Sequence, residues 1–270
     1  MSDSQLAIQG AGHLATALVE GFFRVQIKPI SLYNRTQQRA TALARAFPII
    51  QVFEDQAAFD SETCPLLLVI PGRDLLEASP ARMERIRASG RVAVSCVNGL
   101  PLSVIEHRFP GIRWIKAIPT VAAAVGRSVT LIVQGGAVED ADVRSVEQIF
   151  AGLGTVLRAS GDEELDRLAV VTACLPGILA AILDEFAKAF ELDERQTLEL
   201  LISSAIGSLA LAERDAATLR DLVSKVSNPG GLTEVGVSTV RSTLSPVLGK
   251  LRDVLDRTRE SRWRKYLATK

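Results

Sequence analysis

The sequence is short of what would tie it to a metal, a disulfide framework or a polyanion. It holds three cysteines and two histidines in 270 residues. Cys64, Cys96 and Cys174 are odd in number, widely spaced and without a nearby histidine cluster. That pattern argues against a disulfide scaffold or a metal site, and it reads as small buried hydrophobes in a reducing compartment. Lysine plus arginine equals aspartate plus glutamate, at 31 each, so no global field draws the chain to nucleic acid or to an anionic membrane. The polar start Met1-Ser2-Asp3-Ser4 lacks a basic stretch; no secretory signal is expected, and the expected compartment is the cytoplasm. The uncharged run Leu168 to Leu183 is interrupted by Pro176-Gly177 and falls short of the roughly 20 residues a membrane span needs. Internal repeats and low-complexity tracts are absent.

What is present is enough apolar sequence, 47%, to bury a sizeable core in one large or two modest domains. A short apolar run opens at Leu6. Strands are then predicted at Ile30 to Tyr33, Ile49 to Phe53, Leu66 to Ile70, Val92 to Ser95, Trp114 to Ala117, Val129 to Val133 and Thr155 to Ala159. Helical patterns alternate with them, among them Gln37 to Ala46 and Leu75 to Arg87. This alternation predicts an α/β, Rossmann-type, doubly wound and mostly parallel sheet covered on both faces. After Ser160-Gly161-Asp162 the strand signals stop. The rest reads as helices punctuated at Leu175-Pro176-Gly177, Leu192-Asp193, Arg214-Asp215 and Asn228-Pro229-Gly230-Gly231. Two domains are therefore expected, 1–160 and 161–270, the second all-α. Ile178 to Phe190 and Leu198 to Leu211 are apolar around much of their circumference, which an exposed helix does not tolerate, so a second copy of the chain is the expected partner.

Two loops carry chemistry. Gly10-x-Gly12-x-x-Ala15 follows a predicted strand and opens a helix: the first glycine allows the tight turn, the second lets a phosphate approach the backbone, and Ala15 permits close helix–strand packing. His13 and Leu14 lie in the same turn, with the His13 imidazole in reach of a pyrophosphate. The second strand ends Leu32-Tyr33-Asn34-Arg35-Thr36, without the carboxylate that an NAD site places on the adenosine ribose. Arg35 offers a guanidinium fork to a 2′-phosphate, and Asn34 and Thr36 add hydrogen-bonding groups, so NADP(H) is favoured over NAD(H). At the far end, Asn228-Pro229-Gly230-Gly231-Leu232-Thr233 leads into a helix. Converging glycine N–H groups and a helix N-terminus make an anion pocket; the plainer alternative is a helix-capping turn with Thr233 as the cap.

Taken together, Gly10-Ala11-Gly12, Asn34-Arg35-Thr36 and Pro229-Gly230-Gly231-Leu232-Thr233 resemble the pyrroline-5-carboxylate reductase family, in order and spacing over nearly the whole chain. The resemblance implies a Rossmann domain joined to a helical dimerisation domain, and reduction of a cyclic imine, 1-pyrroline-5-carboxylate, to L-proline by NAD(P)H. It assigns the substrate carboxylate to the backbone of Gly230 and Gly231, and sets the hydroxyl of Thr233 against the ring nitrogen as the catalytic contact. It also implies a homodimer or higher homo-oligomer whose site draws on the Thr233 loop of a partner. No metal, nucleic acid or membrane is called for.

Three stretches depart from the family pattern. Its Ala-Val-Lys-Pro beside the nicotinamide ribose is Val69-Ile70-Pro71-Gly72 here, which loses the lysine but keeps a strand-end turn at Ile70 and Pro71. Its Met-Pro-Asn-Thr-Pro is Ile118-Pro119-Thr120-Val121-Ala122, which keeps one hydroxyl, Thr120, near the cofactor. Its Ser-Gly-Ser-Gly-Pro-Ala-Tyr is Thr172-Ala173-Cys174-Leu175-Pro176-Gly177-Ile178, which exchanges small polar groups for apolar ones. These changes leave open a bulkier cyclic imine, or a non-catalytic dimeric NADP-binding paralogue. The β-hydroxyacid dehydrogenases are disfavoured, because Arg167 to Asp184 contains no lysine to serve as proton donor. His107 and the basic run Arg257, Arg259, Arg262, Arg264 and Lys265 read as surface features.

Overall fold

The computed structural model describes residues 5–215 and 217–267; the polar start Met1-Ser2-Asp3-Ser4 lies outside them. The chain forms two compact units. One runs from the N-terminus through Cys174 and takes in the chain from Arg259 onward, and the other is Leu175–Thr258.

The first unit alternates β1 (Leu6–Gln9), α1 (His13–Arg24), β2 (Ile30–Tyr33), α2 (Gln37–Ala46), β3 (Ile50–Val52), α3 (Gln56–Asp60), β4 (Leu66–Leu68), α4 (Gly72–Leu76), α5 (Pro80–Ala88), β5 (Val92–Ser95), α6 (Leu102–Arg108) and β6 (Arg113–Ile118). A 3₁₀ turn (Val121–Val125), β7 (Ser128–Gln134), α7 (Asp140–Ala151), β8 (Gly154–Arg158) and α8 (Asp162–Ala173) complete it. The eight strands are ordered β3-β2-β1-β4-β5-β6-β7-β8, all parallel except the β6–β7 pair. This is the expected doubly wound sheet, and the order reverses between β2-β1 and β4, the topological switch point at which such sheets bind ligands.

Alternating side chains feed two cores. Leu6 and Ile8 face one layer with Leu18, Phe22 and Phe150, whereas Ala7 faces the other with Phe59, Trp114 and Leu165. Cys96 is buried in the first, and burial pushes its thiol up to about 12. Cys64 and Cys174 are only half-buried, so the expectation of three buried cysteines holds fully for one. The helix predicted over Leu75 to Arg87 is two helices. Ser79 caps α5 by accepting from the Arg82 N–H at 3.3 Å, and Pro80, lacking a donor, is suited to the first turn it occupies.

The boundary between the units falls beyond the 160/161 expected. Leu165, Asp166 and Ala169 of α8 are buried within the first unit, which holds that helix there. The helical run Asp162–Ala189 is long and apolar enough to cross a membrane by length and composition alone, and only 6% of its most apolar 18-residue window is buried; its first turns are held in the core of the first unit by those three residues.

The second unit is built from α9 (Leu175–Ala189), α10 (Glu194–Gln196), a π-helical turn (Thr197–Ile202), α11 (Ser203–Arg214), α12 (Leu219–Val226) and α13 (Leu232–Leu267), whose residues from Arg259 belong to the first unit. The punctuation expected at Leu175-Pro176-Gly177 is the junction of α8 and α9, and Pro176 lies in the first turn of α9, where its missing N–H goes unneeded. Of the described residues of this unit only Ala187 and Ala212 are buried, while Phe186, Phe190, Leu198, Ile206 and Leu209 are exposed. A unit so poor in buried apolar surface does not account for its own stability.

Candidate functional site

The ends of β1, β2 and β4 open onto a cleft of about 480 Å3. Gly10 adopts φ +118°, and a Cβ there would stand 2.1 Å from the Val69 carbonyl oxygen. Only glycine lets β1 and the chain after β4 approach this closely. A Cβ on Gly12 would meet nothing within 4 Å, so that position faces open space at the start of α1, where no side chain caps the helix and no acid occupies the first turn. An uncapped N-terminus beside open space suits a phosphate.

Gly10, Gly12, Asn34, Arg35, Thr36, Ile70 and Pro71 all line this cleft. Three residues of the expected cofactor set do not. His13 is exposed at the first position of α1, and Leu14 packs against the core. Thr120 is buried at the end of β6, where its N–H donates to Ser128 Oγ at 3.0 Å. Asn34 spends its amide on the turn, donating to the Thr36 carbonyl at 2.8 Å.

The cleft also holds residues that the sequence did not single out, notably Gln9, Arg39, Asp74, Arg82 and Arg85. Arg82 is buried, donates to the Asp60 carboxylate at 3.2 Å and to Gln9 Oε1, and so ties α5 to α3 and to the end of β1. Arg85 reaches the same carboxylate at 3.7 Å. Burial is the largest influence on Asp60 and pushes its carboxyl up, against the pull of Arg82 and Arg85. Arg35 is mostly exposed, with Nη1 3.7 Å from Asp74 Oδ2. A signal for Gln9 was visible, since it is the one polar residue of β1; Arg82 carried none that separates it from its arginine-rich neighbours.

These observations test the fit of a dinucleotide. Four arginines border a cleft in which Asp60 is already committed to two of them, and Arg85 Nε is shielded from solvent without a partner. The surplus of donors suits a ligand carrying several phosphates. Among the described residues there is no group of three or more His, Cys, Asp or Glu side chains able to hold a metal.

The loop before α13 belongs to the second unit. Gly230 has φ +73°, and its N–H donates to Glu234 Oε2 at 2.7 Å. The Gly231 N–H donates to the Asn228 carbonyl at 2.9 Å. The two amides expected to receive a substrate carboxylate are thus both engaged, one of them by a carboxylate of the chain itself. Thr233 is the second residue of α13, exposed, and its hydroxyl makes no hydrogen bond among the described residues. The capping alternative therefore falls to Glu234 rather than to Thr233.

No protein-family model matches the chain. The pyrroline-5-carboxylate reductase of Mycobacterium tuberculosis is 25% identical over 259 residues, which cover 85% of this chain and 86% of that protein. Solved structures extend the likeness to the fold. The pyrroline carboxylate reductase of Plasmodium falciparum, with NADP bound, superposes with a TM-score of 0.78 at 16% identity, over 99% of this chain and 98% of that one. The pyrroline-5-carboxylate reductase of Coxiella burnetii gives 0.79 at 17% identity over the same shares. The chain is a divergent relative of the pyrroline-5-carboxylate reductases.

Two of the departing stretches lie against tightly packed parts of the first unit. Gly72 is buried, and a Cβ on it would stand 2.8 Å from the Tyr266 hydroxyl. The Ile118-Pro119-Thr120 stretch continues a strand whose Lys116 is fully buried, 3.3 Å from Asp166 and 3.6 Å from Asp162. Asp162 in turn accepts from the N–H groups of Leu102 and Ser103, at 2.6 and 3.0 Å, and Asp166 accepts from the Trp263 indole. Asp162 lies in the first turn of α8, and neither Lys116 nor Asp166 carries a local sequence signal of this pairing.

Proposed function

We propose that the protein is an NADPH-dependent imine reductase whose leading substrate is 1-pyrroline-5-carboxylate, reduced to L-proline. The observation that carries this reading is the cleft at the switch point. It joins an open, uncapped helix N-terminus at Gly12 to Arg35, at the strand end where an NAD site carries a carboxylate. The similarity to reductases named for that substrate, one of them with NADP bound, supports it.

When bound, NADPH supplies a hydride to the imine carbon. The residues of the chain bind and orient. Gly10 sets the turn, Gly12 and the backbone N–H groups at the start of α1, those of His13 and Leu14, would hold the pyrophosphate, and Arg35, flanked by Asn34 and Thr36, would hold the 2′-phosphate. Ile70 and Pro71 would wall the nicotinamide side of the cleft, and Thr120 is assigned to that side by the family resemblance alone. The Gly230 and Gly231 amides hold the substrate carboxylate, and the Thr233 hydroxyl gives a preorganised hydrogen bond to the ring nitrogen as its charge changes. We read the protein as a cytoplasmic homodimer or higher homo-oligomer, a reading supported by the exposed apolar faces of α9 and α11 and by three cysteines without a disulfide.

One observation favours a second substrate reading. Glu234 occupies the Gly230 amide, so a pyrroline carboxylate must displace a carboxylate of the chain, whereas a bulkier and less polar cyclic imine need not. The deciding experiment is NADPH oxidation at neutral pH with pyrroline-5-carboxylate, a bulkier cyclic imine and NADH run in parallel, repeated with Thr233→Ala. Turnover of the first imine, strongly reduced in the variant, supports the leading reading. Turnover of the bulkier imine alone reassigns the substrate. Silence with both, in protein that binds NADPH, makes it a non-catalytic dinucleotide-binding paralogue. Unchanged turnover in Thr233→Ala removes that residue from the site.

A further inference from the structure

A second cavity, of about 490 Å3, lies wholly within the first unit and apart from the dinucleotide cleft. Its walls come from α4, α6 and the last turns of α13, three elements remote in sequence. Leu76, Val104 and Tyr266 line it with apolar surface, while Arg73, Arg108 and Lys265 bring cationic side chains to it. Its volume falls in the range of small-molecule sites, and its composition follows their pattern of an apolar body with a few polar groups.

The charges at this cavity are unequal. Arg73 is shared between Asp74 at 3.9 Å and Glu77 at 4.0 Å. Arg108 stands over the Phe109 ring, 5.7 Å from its centroid, and has no carboxylate partner among the described residues. Glu77 is the one acid on the wall. A concave surface with an unmatched guanidinium and a second cation in a weak exposed pair lowers its energy by taking up negative charge. The apolar wall opposite adds affinity only for a ligand with a hydrophobic body.

We propose that this cavity is a binding site for a small organic anion, one with an apolar body carrying a single carboxylate or phosphate group. Arg108 and Lys265 hold the anionic group, and Leu76, Val104 and the Tyr266 ring hold the body. The site shares α4 with the dinucleotide cleft, which Asp74 of that short helix and Pro71 just before it line. Arg35 lines only the cleft, so the two sites separate cleanly by mutation.

The test is calorimetric titration of the full-length protein with phenyl phosphate as the probe, beside inorganic phosphate and benzyl alcohol. Phenyl phosphate is expected to bind at least about tenfold more tightly than either half-probe, because only it meets both walls. Arg108→Ala is expected to weaken it about tenfold or more, with Lys265→Ala as a second variant on another element, and Arg35→Ala is expected to leave it unchanged. Equal binding of phenyl phosphate to wild type and to both cavity variants overturns the proposal. So does loss of binding in Arg35→Ala alone, which places the probe in the dinucleotide cleft instead.

Discussion

Lys116 Nζ lies 3.3 Å from Asp166 Oδ1 with both side chains sealed in the interior of the first unit, and the Trp263 indole closes the other oxygen of the same carboxylate. A strand of the sheet, the last helix of the sheet unit and the far end of the chain are thereby joined at one buried charge cluster, in which Lys116 also stands 3.6 Å from Asp162. Such a pair is costly to halve, because the remaining charge loses its partner without regaining water. Lys116→Met is expected to lose about 3–5 kcal/mol, and Lys116→Met with Asp166→Leu to recover part of that loss, Asp162 keeping its backbone donors at Leu102 and Ser103. Trp263→Phe, which removes a donor but no charge, is expected to cost less, about 1–3 kcal/mol. Urea unfolding followed by circular dichroism checks all three, and a double variant no more stable than Lys116→Met alone rules out the pair as the reason.

Gly10 and Gly12 are expected to fail in different ways. An alanine at Gly10 must both hold a positive φ and overlap the Val69 carbonyl, so Gly10→Ala is expected to reduce soluble, cooperatively folding protein. An alanine at Gly12 meets open space in the free protein, and Gly12→Ala is expected to unfold like wild type. Its methyl stands where a phosphate must approach, so NADPH affinity should fall by about tenfold or more. Calorimetric binding and thermal unfolding of the two variants separate the roles.

Arg35 is contested between Asp74 and the proposed 2′-phosphate. Arg35→Ala is expected to weaken NADPH by about tenfold while leaving NADH nearly unchanged, since only the former carries the phosphate. Asp74→Asn removes the competing carboxylate and is expected to shift preference further toward NADPH, by a few-fold, in keeping with an exposed pair at 3.7 Å. Dissociation constants for both dinucleotides measure this, and a parallel change in the two for Arg35→Ala contradicts the assigned contact.

The fold was legible because hydrophobic periodicity is a local signal. The runs at Ile30 and Val92 became strands with the expected ends, and Gln37 to Ala46 became a helix with the expected ends. The pattern misled where a single residue outweighed it, at Ser79-Pro80, which split one helix in two, whereas Leu175-Pro176-Gly177 marks the expected helix junction, with Pro176 inside the new helix. The glycine turn, Arg35 and Pro71 were legible as parts of a cleft because their positions follow strand ends. Arg82, Asp60, Lys116 and Asp166 were not, since pairing between residues 22 and 50 positions apart leaves no mark in either local pattern. The Glu234–Gly230 contact was close in sequence, yet the anion reading of the glycines drew attention to their amides and away from the acid four residues on.

The helical unit is expected to be covered by a second copy. Phe190, Ile206 and Leu198 are each more than half exposed in the isolated chain, a density of apolar surface that soluble monomers rarely leave bare. Light scattering is expected to give at least twice the 29.0 kDa chain mass. Ile206→Glu is expected to lower that mass or to cause aggregation, and a monomeric wild-type protein contradicts the reading.

Glu234 Oε2 accepts the Gly230 N–H at 2.7 Å from an exposed position, so its carboxylate both fills and charges the place proposed for the substrate. Glu234→Gln keeps the size of the side chain and removes the charge. If pyrroline-5-carboxylate binds through this amide, the variant is expected to lower KM by a few-fold with little change in kcat, because the change relieves a competition for binding and leaves the reacting atoms untouched. If the natural imine lacks a carboxylate, KM for that imine is expected to stay the same in Glu234→Gln while KM for pyrroline-5-carboxylate still falls. Steady-state kinetics with both imines therefore distinguish a gate on the leading substrate from a residue that selects against it. Loss of kcat in Glu234→Gln with either imine excludes both and returns Glu234 to a structural role at the start of α13.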